Sequence, residues 1–400
     1  MSKKKILYVS GSIGLGHVTR DLAIARQLRK QHPEVELSWL ACHPATLLLK
    51  EAGEKLLPES DIYANANTNA ENTAKGFEMS TLKYALHETK VLKHNLKIYK
   101  KIFNREKYNL VISDEAYDLI TALTLKLIRL DAPFVMIYDF LGMDFVTKNP
   151  FEKLIANISN HIWTKWDCKL FSGGKNLALF VGEIEDIPDK RLGFLQTNRR
   201  EHARKFYNFT GYVLPFDPLE YAYKTKIRTK LGYGPGPLII CSIGGTSIGK
   251  DLLELCGRAY KIIKQKVPDL QMVLICGPRL ATDELKVPEE VEVKGYVPAL
   301  YEHFAASDLV VVQGGGTATI ELTALNRPFL YFPLAMHCEQ QIHVAGRLAR
   351  HQAGIKKIYS QTTPETLADM MIANLDKKVN YPPIPLHGTQ KAAQFISELI

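Results

Sequence analysis

Val310 to Arg350 reads VVVQGGGTATIELTALNRPFLYFPLAMHCEQQIHVAGRLAR, and the order of its parts decides the fold. A short apolar run ends in Gln313-Gly314-Gly315-Gly316, after which Ile320, Leu322 and Leu325 fall at helical spacing. The pattern predicts a strand, a glycine turn and a helix. Glycines at a helix N-terminus leave backbone N–H groups uncovered, where unpaired donors and the positive end of the dipole hold a phosphate. Glu321 projects about one turn into that helix, within reach of ribose hydroxyls. A second apolar run, Phe329 to Phe332, ends at Pro333 and leads into His337-Cys338-Glu339-Gln340-Gln341, groups suited to sugar hydroxyls beyond a diphosphate. A bare GGG also fits a tight turn in any α/β domain. The discriminating feature is the succession GGGTxxxE, strand, proline and HxEQQ within one stretch.

That succession resembles the donor-binding region of GT-B glycosyltransferases, family 28 above all and family 1 more distantly. The resemblance implies that Glu321 holds the ribose, that Gly315, Gly316 and Thr317 hold the diphosphate, and that Glu339 with Gln340 holds the donor sugar beside His337. Gln313 stands where many family 1 enzymes have a histidine on phosphate. Upstream, Leu238 to Ser242 predicts a strand. The Gly244-Gly245-Thr246 loop that follows Ser242 resembles the family's SxGGxxG loop, which meets the diphosphate from the other side. Tyr296 and Val297 take the place of the residues that lie against the base. The resemblance is densest over 238–350, moderate over 5–30, and holds only in outline over 60–210.

Four hundred residues exceed the usual size of one core, so two domains are expected. The expected fold class is α/β, with two facing Rossmann-like doubly wound domains in the GT-B manner. Residues 1–212 would bind the acceptor, 213–375 would bind the nucleotide sugar, and 376–400 would return as a helix to the first domain. Thr210 to Pro218 marks the boundary, because two prolines and a glycine there follow a short strand. A composition of 46% hydrophobic and 23% charged residues is that of a globular protein. No apolar run approaches the ~20 residues that span a bilayer. The opening MSKKKILYVSGSIGLGH suits a first strand and loop better than a signal peptide. Six cysteines without CxxC spacing fit a reducing compartment, so a cytoplasmic protein is expected. The net charge of +9 favours anionic partners. No zinc-finger, homeodomain or RNA-binding signature accompanies it, which argues against nucleic acid.

In the first domain, Lys5 to Val9 predicts a strand, Ser10 to Thr19 a loop and Arg20 to Lys30 a helix. Gly14 and Gly16 begin a dinucleotide fingerprint, but Thr19 stands at its third glycine and the next strand ends in no acidic residue. The loop resembles the GxGH-type turn of GT-B acceptor domains, which implies that His17 sits at the acceptor with Gly16 and Arg20 beside it. Leu110 to Asp114 and Phe134 to Asp139 are apolar strands ending in carboxylates. Such residues point into the ligand crevice of an α/β sheet, although helix capping explains Asp114 and Asp139 as well. His17 is read as the general base, oriented by Asp114. No DxD pair stands at a strand end, so neither metal nor cofactor is expected, and helix N-termini would stabilise the leaving diphosphate. Aromatics interleaved with lysines over Phe145 to Lys169 suit an anionic membrane surface, a cover over the acceptor or packing on the first domain, and the basic run Lys90 to Lys107 reads as a solvated helix face ahead of an anion or membrane patch. The expected reaction is inverting transfer of a hexose or N-acetylhexosamine from a nucleoside diphosphate sugar, UDP first among candidates, to a hydroxyl acceptor, lipid-linked acceptors included. A nucleotide-sugar hydrolase or epimerase, and a non-catalytic nucleotide-sugar binder, would use the same donor motifs.

Overall fold

The computed structural model describes residues 3–10, 14–64, 74–75, 78–79, 81–146, 149–245, 247–375 and 377–400, with backbone alone for 74–75, 78–79 and 81–89. The chain forms two compact units. The first comprises 1–73, 80–215 and 385–400, and the second 74–79 and 216–384.

In the first unit, six parallel strands lie in the order β2-β1-β3-β4-β5-β6. They are β1 (Lys4–Ser10), β2 (Val35–Ala41), β3 (Leu110–Asp114), β4 (Phe134–Tyr138), β5 (Leu177–Val181) and β6 (Tyr207–Gly211). Both sheet faces are covered, so the central strands read as unbroken apolar runs. Helix α1 (Leu15–Gln31) covers one face together with the C-terminal helix Gly388–Ser397, through Ile24, Leu28, Ala392 and Ile396. The other face carries α2 (Thr81–Arg105), α3 (Tyr117–Thr124) and α4 (Pro150–Phe171), packed through Ile98, Tyr99, Ile120 and Trp163. Strand order reverses between β1 and β3, where Ser10 lies beside Asp114, and such a reversal opens a crevice at the carboxyl ends of the strands.

Helix α1 begins earlier than the sequence pattern suggests. Gly14 is its extended N-cap, and Gly16, His17 and Thr19 lie in its first turns rather than in a loop. Thr19 Oγ1 donates to the Leu15 carbonyl at 2.8 Å, which lets a turn-prone residue fit the helix.

The second unit repeats the plan with β7 (Leu238–Ser242), β8 (Gln271–Ile275), β9 (Glu292–Lys294), β10 (Leu309–Val312), β11 (Phe329–Tyr331) and β12 (Ile355–Lys356). These parallel strands lie in the order β9-β8-β7-β10-β11-β12. The reversal falls between β7 and β10, with Val312 beside Ser242. Helix α5 (Lys250–Lys266) follows β7 and α6 (Gly316–Ala324) follows β10. After β11 the chain forms a π-helix over Glu339–Val344 that runs into α7 (Ala345–Arg350).

Candidate functional site

Because β7 and β10 are neighbours, the two glycine loops leave the sheet side by side. Gln313 Nε2 donates to the Ile248 carbonyl at 3.0 Å and ties one loop to the other. Gly244 has φ +82, and its N–H donates to Ser242 Oγ at 3.3 Å. The loop after β8 presses on the same point: Gly277 has φ +77, and a Cβ there would stand 2.1 Å from the Gly244 carbonyl oxygen. Gly315 caps α6 with extended backbone and no side-chain hydrogen bond, so the first N–H groups of α6, through Gly316 and Thr317, remain for an anion. Gly245 lies in the neighbouring turn, while Thr246 lies outside the described residues.

Glu321 is 5% exposed, and burial pushes its carboxyl up to about 8. A carboxyl in that state gains when donors such as ribose hydroxyls arrive, since hydrogen bonds to the charged form favour it. The two glutamines of the π-helix pin it to the end of β11. Gln340 Oε1 accepts from the Leu334 N–H at 2.9 Å, and Gln341 Nε2 donates to the carbonyls of Pro333 at 3.2 Å and Leu334 at 3.0 Å. His337 Nδ1 accepts from the Gln340 N–H at 3.4 Å, and Glu339 stands 3.9 Å from that nitrogen. Tyr296 and Val297 follow β9 and are half-buried. Sequence reading passed over Arg347, a buried side chain whose Nη2 donates to the Gly316 carbonyl at 3.1 Å. A basic residue in a helix carries no sequence signal of that placement.

In the first unit, the reversal brings together His17, Arg20, Asp114 and Asp139. Arg20 donates through Nε to Asp114 Oδ2 at 2.8 Å and through Nη2 to Asp114 Oδ1 at 2.7 Å, a two-pronged pair. Its Nη1 donates to Asp139 Oδ2 at 2.7 Å. His17 Nδ1 is 3.1 Å from Asp114 Oδ1, and Nε2 is 3.8 Å from Asp139 Oδ2. Burial would raise both aspartates, but Arg20 and then His17 outweigh it and hold both well below the carboxylate range. Asp21 is fully buried behind Asp114, accepting from Tyr8 at 2.8 Å and Ser10 at 3.1 Å. Burial first, then the charge of Asp114, raises its carboxyl well above the usual range. Glu115 is a second carboxyl that the sequence reading did not single out. Its backbone is left-handed at φ +49, where the chain bends after β3. His17, Glu115 and Asp139 each offer an atom within 4.8 Å of the others, a set that could also hold a metal ion.

Residues 239–397 match the glycosyltransferase family 28 C-terminal domain. An uncharacterized glycosyltransferase of Methanosarcina mazei is 26% identical over 205 residues, 45% of this chain and 54% of that relative, so this chain spans about half of its length. The UDP-N-acetylglucosamine--N-acetylmuramyl-(pentapeptide) pyrophosphoryl-undecaprenol N-acetylglucosamine transferase of Acetivibrio thermocellus is 23% identical over 368 residues, covering 90% of this chain and 86% of the relative. Among solved structures, the glycotransferase of kitacinnamycin superposes over 100% of this chain and 99% of its own with a TM-score of 0.60 at 15% identity, a likeness of fold. The second half of the chain is thus a glycosyltransferase family 28 C-terminal domain, and the whole chain has the GT-B fold of the glycosyltransferases that it resembles.

Proposed function

We propose that this glycosyltransferase moves a hexose or N-acetylhexosamine from a nucleoside diphosphate sugar, UDP first among donors, to a hydroxyl acceptor bound by the first unit, with inversion at the anomeric carbon. The observation that carries the donor assignment is the pair of glycine loops at the β7/β10 reversal beside buried Glu321. The acceptor hydroxyl gives its proton to Nε2 of His17 while its oxygen attacks the anomeric carbon. The bond to the diphosphate oxygen breaks, and the N–H groups of Gly245, Gly316 and Thr317 take up the charge that develops there. Asp114 stabilises the imidazolium through Nδ1.

A thermal-shift screen of nucleotide sugars, followed by product analysis, tests the reading, because a ligand that binds only the native state raises its stability. UDP-sugars are expected to shift the melting temperature. His17→Ala should then cut turnover roughly 10²–10⁴-fold with nucleotide affinity unchanged. Rapid consumption of donor without acceptor would replace the reading with a hydrolase or epimerase, and binding without turnover would leave a nucleotide-sugar binder.

A lipid surface is part of the proposal. Helix α4 exposes Phe151, Leu154, Ile158 and Ile162 along one side, at 54%, 54%, 52% and 42%. The loop that carries Phe194 and Leu195, 84% and 81% exposed, is fastened beside them by the Phe194 N–H donating to Asn157 Oδ1 at 2.8 Å. Lys153, Lys165 and Lys169 are also exposed on α4, and no carboxylate is. Apolar and basic groups interleaved in this way suit the interface of an anionic bilayer and an amphiphilic acceptor drawn from it. Among the described residues no helix is long and apolar enough to cross a membrane.

A further inference from the structure

Glu115 and Asp139 make an unusual pair. Glu115 Oε1 and Asp139 Oδ1 are buried, and neither has a hydrogen-bond partner among the described residues. An oxygen of each lies with a ring nitrogen of His17 inside 4.8 Å. Two carboxyl groups so close, each with a buried oxygen, do not both ionise, because repulsion and desolvation leave a proton on one of them. Burial first, then the charges of Asp139 and Asp114, push Glu115 well above the carboxylate range, so the proton resides mainly there. Glu115 is held in place by left-handed backbone at φ +49, a conformation that a non-glycine residue keeps only when its surroundings impose it.

The consequence falls on His17. Arg20 has donors only, so Nδ1 of His17 either accepts from Arg20 Nη2 at 2.7 Å or, protonated, donates to Asp114 Oδ1 at 3.1 Å. Only the second arrangement leaves Nε2 with a lone pair. Undiluted negative charge on Asp139, whose Oδ2 stands 3.8 Å from Nε2, would draw the ring proton to Nε2 and favour the first.

We propose that Glu115 is a positioning residue for the transfer: by sharing a proton with Asp139 it withdraws negative charge from Nε2 of His17 and keeps that nitrogen the proton acceptor. No bond of the reaction passes through Glu115. The hydroxyl proton goes to Nε2, the new bond forms at the anomeric carbon, and the electron pair of the broken bond leaves on the diphosphate. The role rests on His17 as the base, whereas the tautomer it sets can be read without any turnover. The other charged or titratable groups facing the pair are Asp114, Arg20 and His17, with the phenols of Tyr117 and Tyr138 on the α3 and β4 side. Asp21, with Tyr8, stands behind Asp114.

The test uses the full chain labelled with ¹⁵N-histidine and long-range ¹H–¹⁵N correlation, the His17 signals being assigned by their loss in His17→Gln. The wild type should show the Nδ1–H tautomer at pH 7, and Glu115→Ala should move His17 toward Nε2–H while kcat falls roughly tenfold or more. Glu115→Gln, whose amide N–H still donates to Asp139, should restore the wild-type signals and most of the turnover. It should also abolish an ionisation that the wild-type signals report on raising the pH. An unchanged tautomer in a folded Glu115→Ala variant overturns the proposal, and so does a changed tautomer with unchanged turnover. Saturable broadening of the His17 signals by Mn²⁺ that Glu115→Gln removes would overturn it in favour of a bridging cation. If His17→Ala leaves turnover intact, the base assignment fails, while a tautomer shift in Glu115→Ala still supports the shared proton.

Discussion

At the scale of single residues, Glu321 gives the sharpest expectation. Its folded-state carboxyl titrates near 8 against an ordinary 4.5, because burial penalises the charge. A raised carboxyl contributes stability that is fully present below 4.5 and is lost as pH rises through 8, up to ~1.4 kcal/mol for each unit crossed. Glu321→Gln should therefore leave the melting temperature unchanged near pH 4.5 and raise it at pH 8. Nucleotide binding should do the reverse to the wild type: ribose hydroxyls donate to the ionised form, so affinity climbs from pH 6 to pH 8 and a proton is released. Calorimetry in buffers of different ionisation enthalpy reads that proton, which should vanish in Glu321→Gln along with about 1.5–3 kcal/mol of affinity. Equal proton release by both proteins would place the ribose elsewhere. Glu321 was legible in the sequence because one spacing, GGGTxxxE, fixes its place on α6. Glu115 was not, since its importance comes from left-handed backbone that no sequence signal marks and from Asp139, which lies just past the neighbouring strand and is distant in sequence.

Among the elements, strands with both faces buried were the most legible, because continuous Val, Ile and Leu runs leave few other readings. Helix starts were less so: α1 begins at Leu15 with Gly14 as its N-cap, although the glycines suggested a loop, and the Thr19 hydroxyl settles into the first turns by donating to the Leu15 carbonyl. The π-helix at Glu339–Val344 was invisible, because its register is set by the bonds of Gln340 and Gln341 to residues 333 and 334. The meeting of the β7 and β8 loops also depends on contacts distant in sequence. Gly277→Ala places a methyl group 2.1 Å from the Gly244 carbonyl oxygen on backbone at φ +77, so the loops must separate. The expected cost is at least ~1 kcal/mol of stability. That corresponds to a melting temperature lower by about 2–4 °C for each kcal/mol, with weakened nucleotide binding. A variant that melts and binds UDP like the wild type would show that the close approach is unnecessary for the donor site.

For the molecule as a whole, the +9 charge acquires meaning from where its members lie. On α2, Lys101 and Arg105 are drawn onto Glu59, at 3.2 Å and 2.5 Å, while Lys90, Lys93, Lys97 and Lys100 remain exposed. Helix α3 packs against both α2 and α4, so these lysines share a layer with the apolar stripe. Asn160 fastens that stripe to the loop after Asp139, accepting from the Met143 N–H at 2.6 Å and donating to its carbonyl at 2.9 Å. For the lipid-linked acceptor proposed above, the hydroxyl head would enter the first unit while the tail stays in lipid. Each basic residue near an anionic bilayer contributes about 1 kcal/mol, and the exposed Phe and Leu side chains add apolar burial. The wild type should co-sediment with phosphatidylserine vesicles at low ionic strength and be released as salt shortens the screening length. Phe194→Ser with Leu195→Ser should weaken that binding without changing turnover of a short, water-soluble acceptor, because neither residue lies in the His17 cluster. Neutralising Lys93, Lys97 and Lys100 together should flatten the salt dependence. If the wild type stays in the supernatant at low salt, the stripe is no lipid surface, and a contact with another protein chain becomes the reading to pursue.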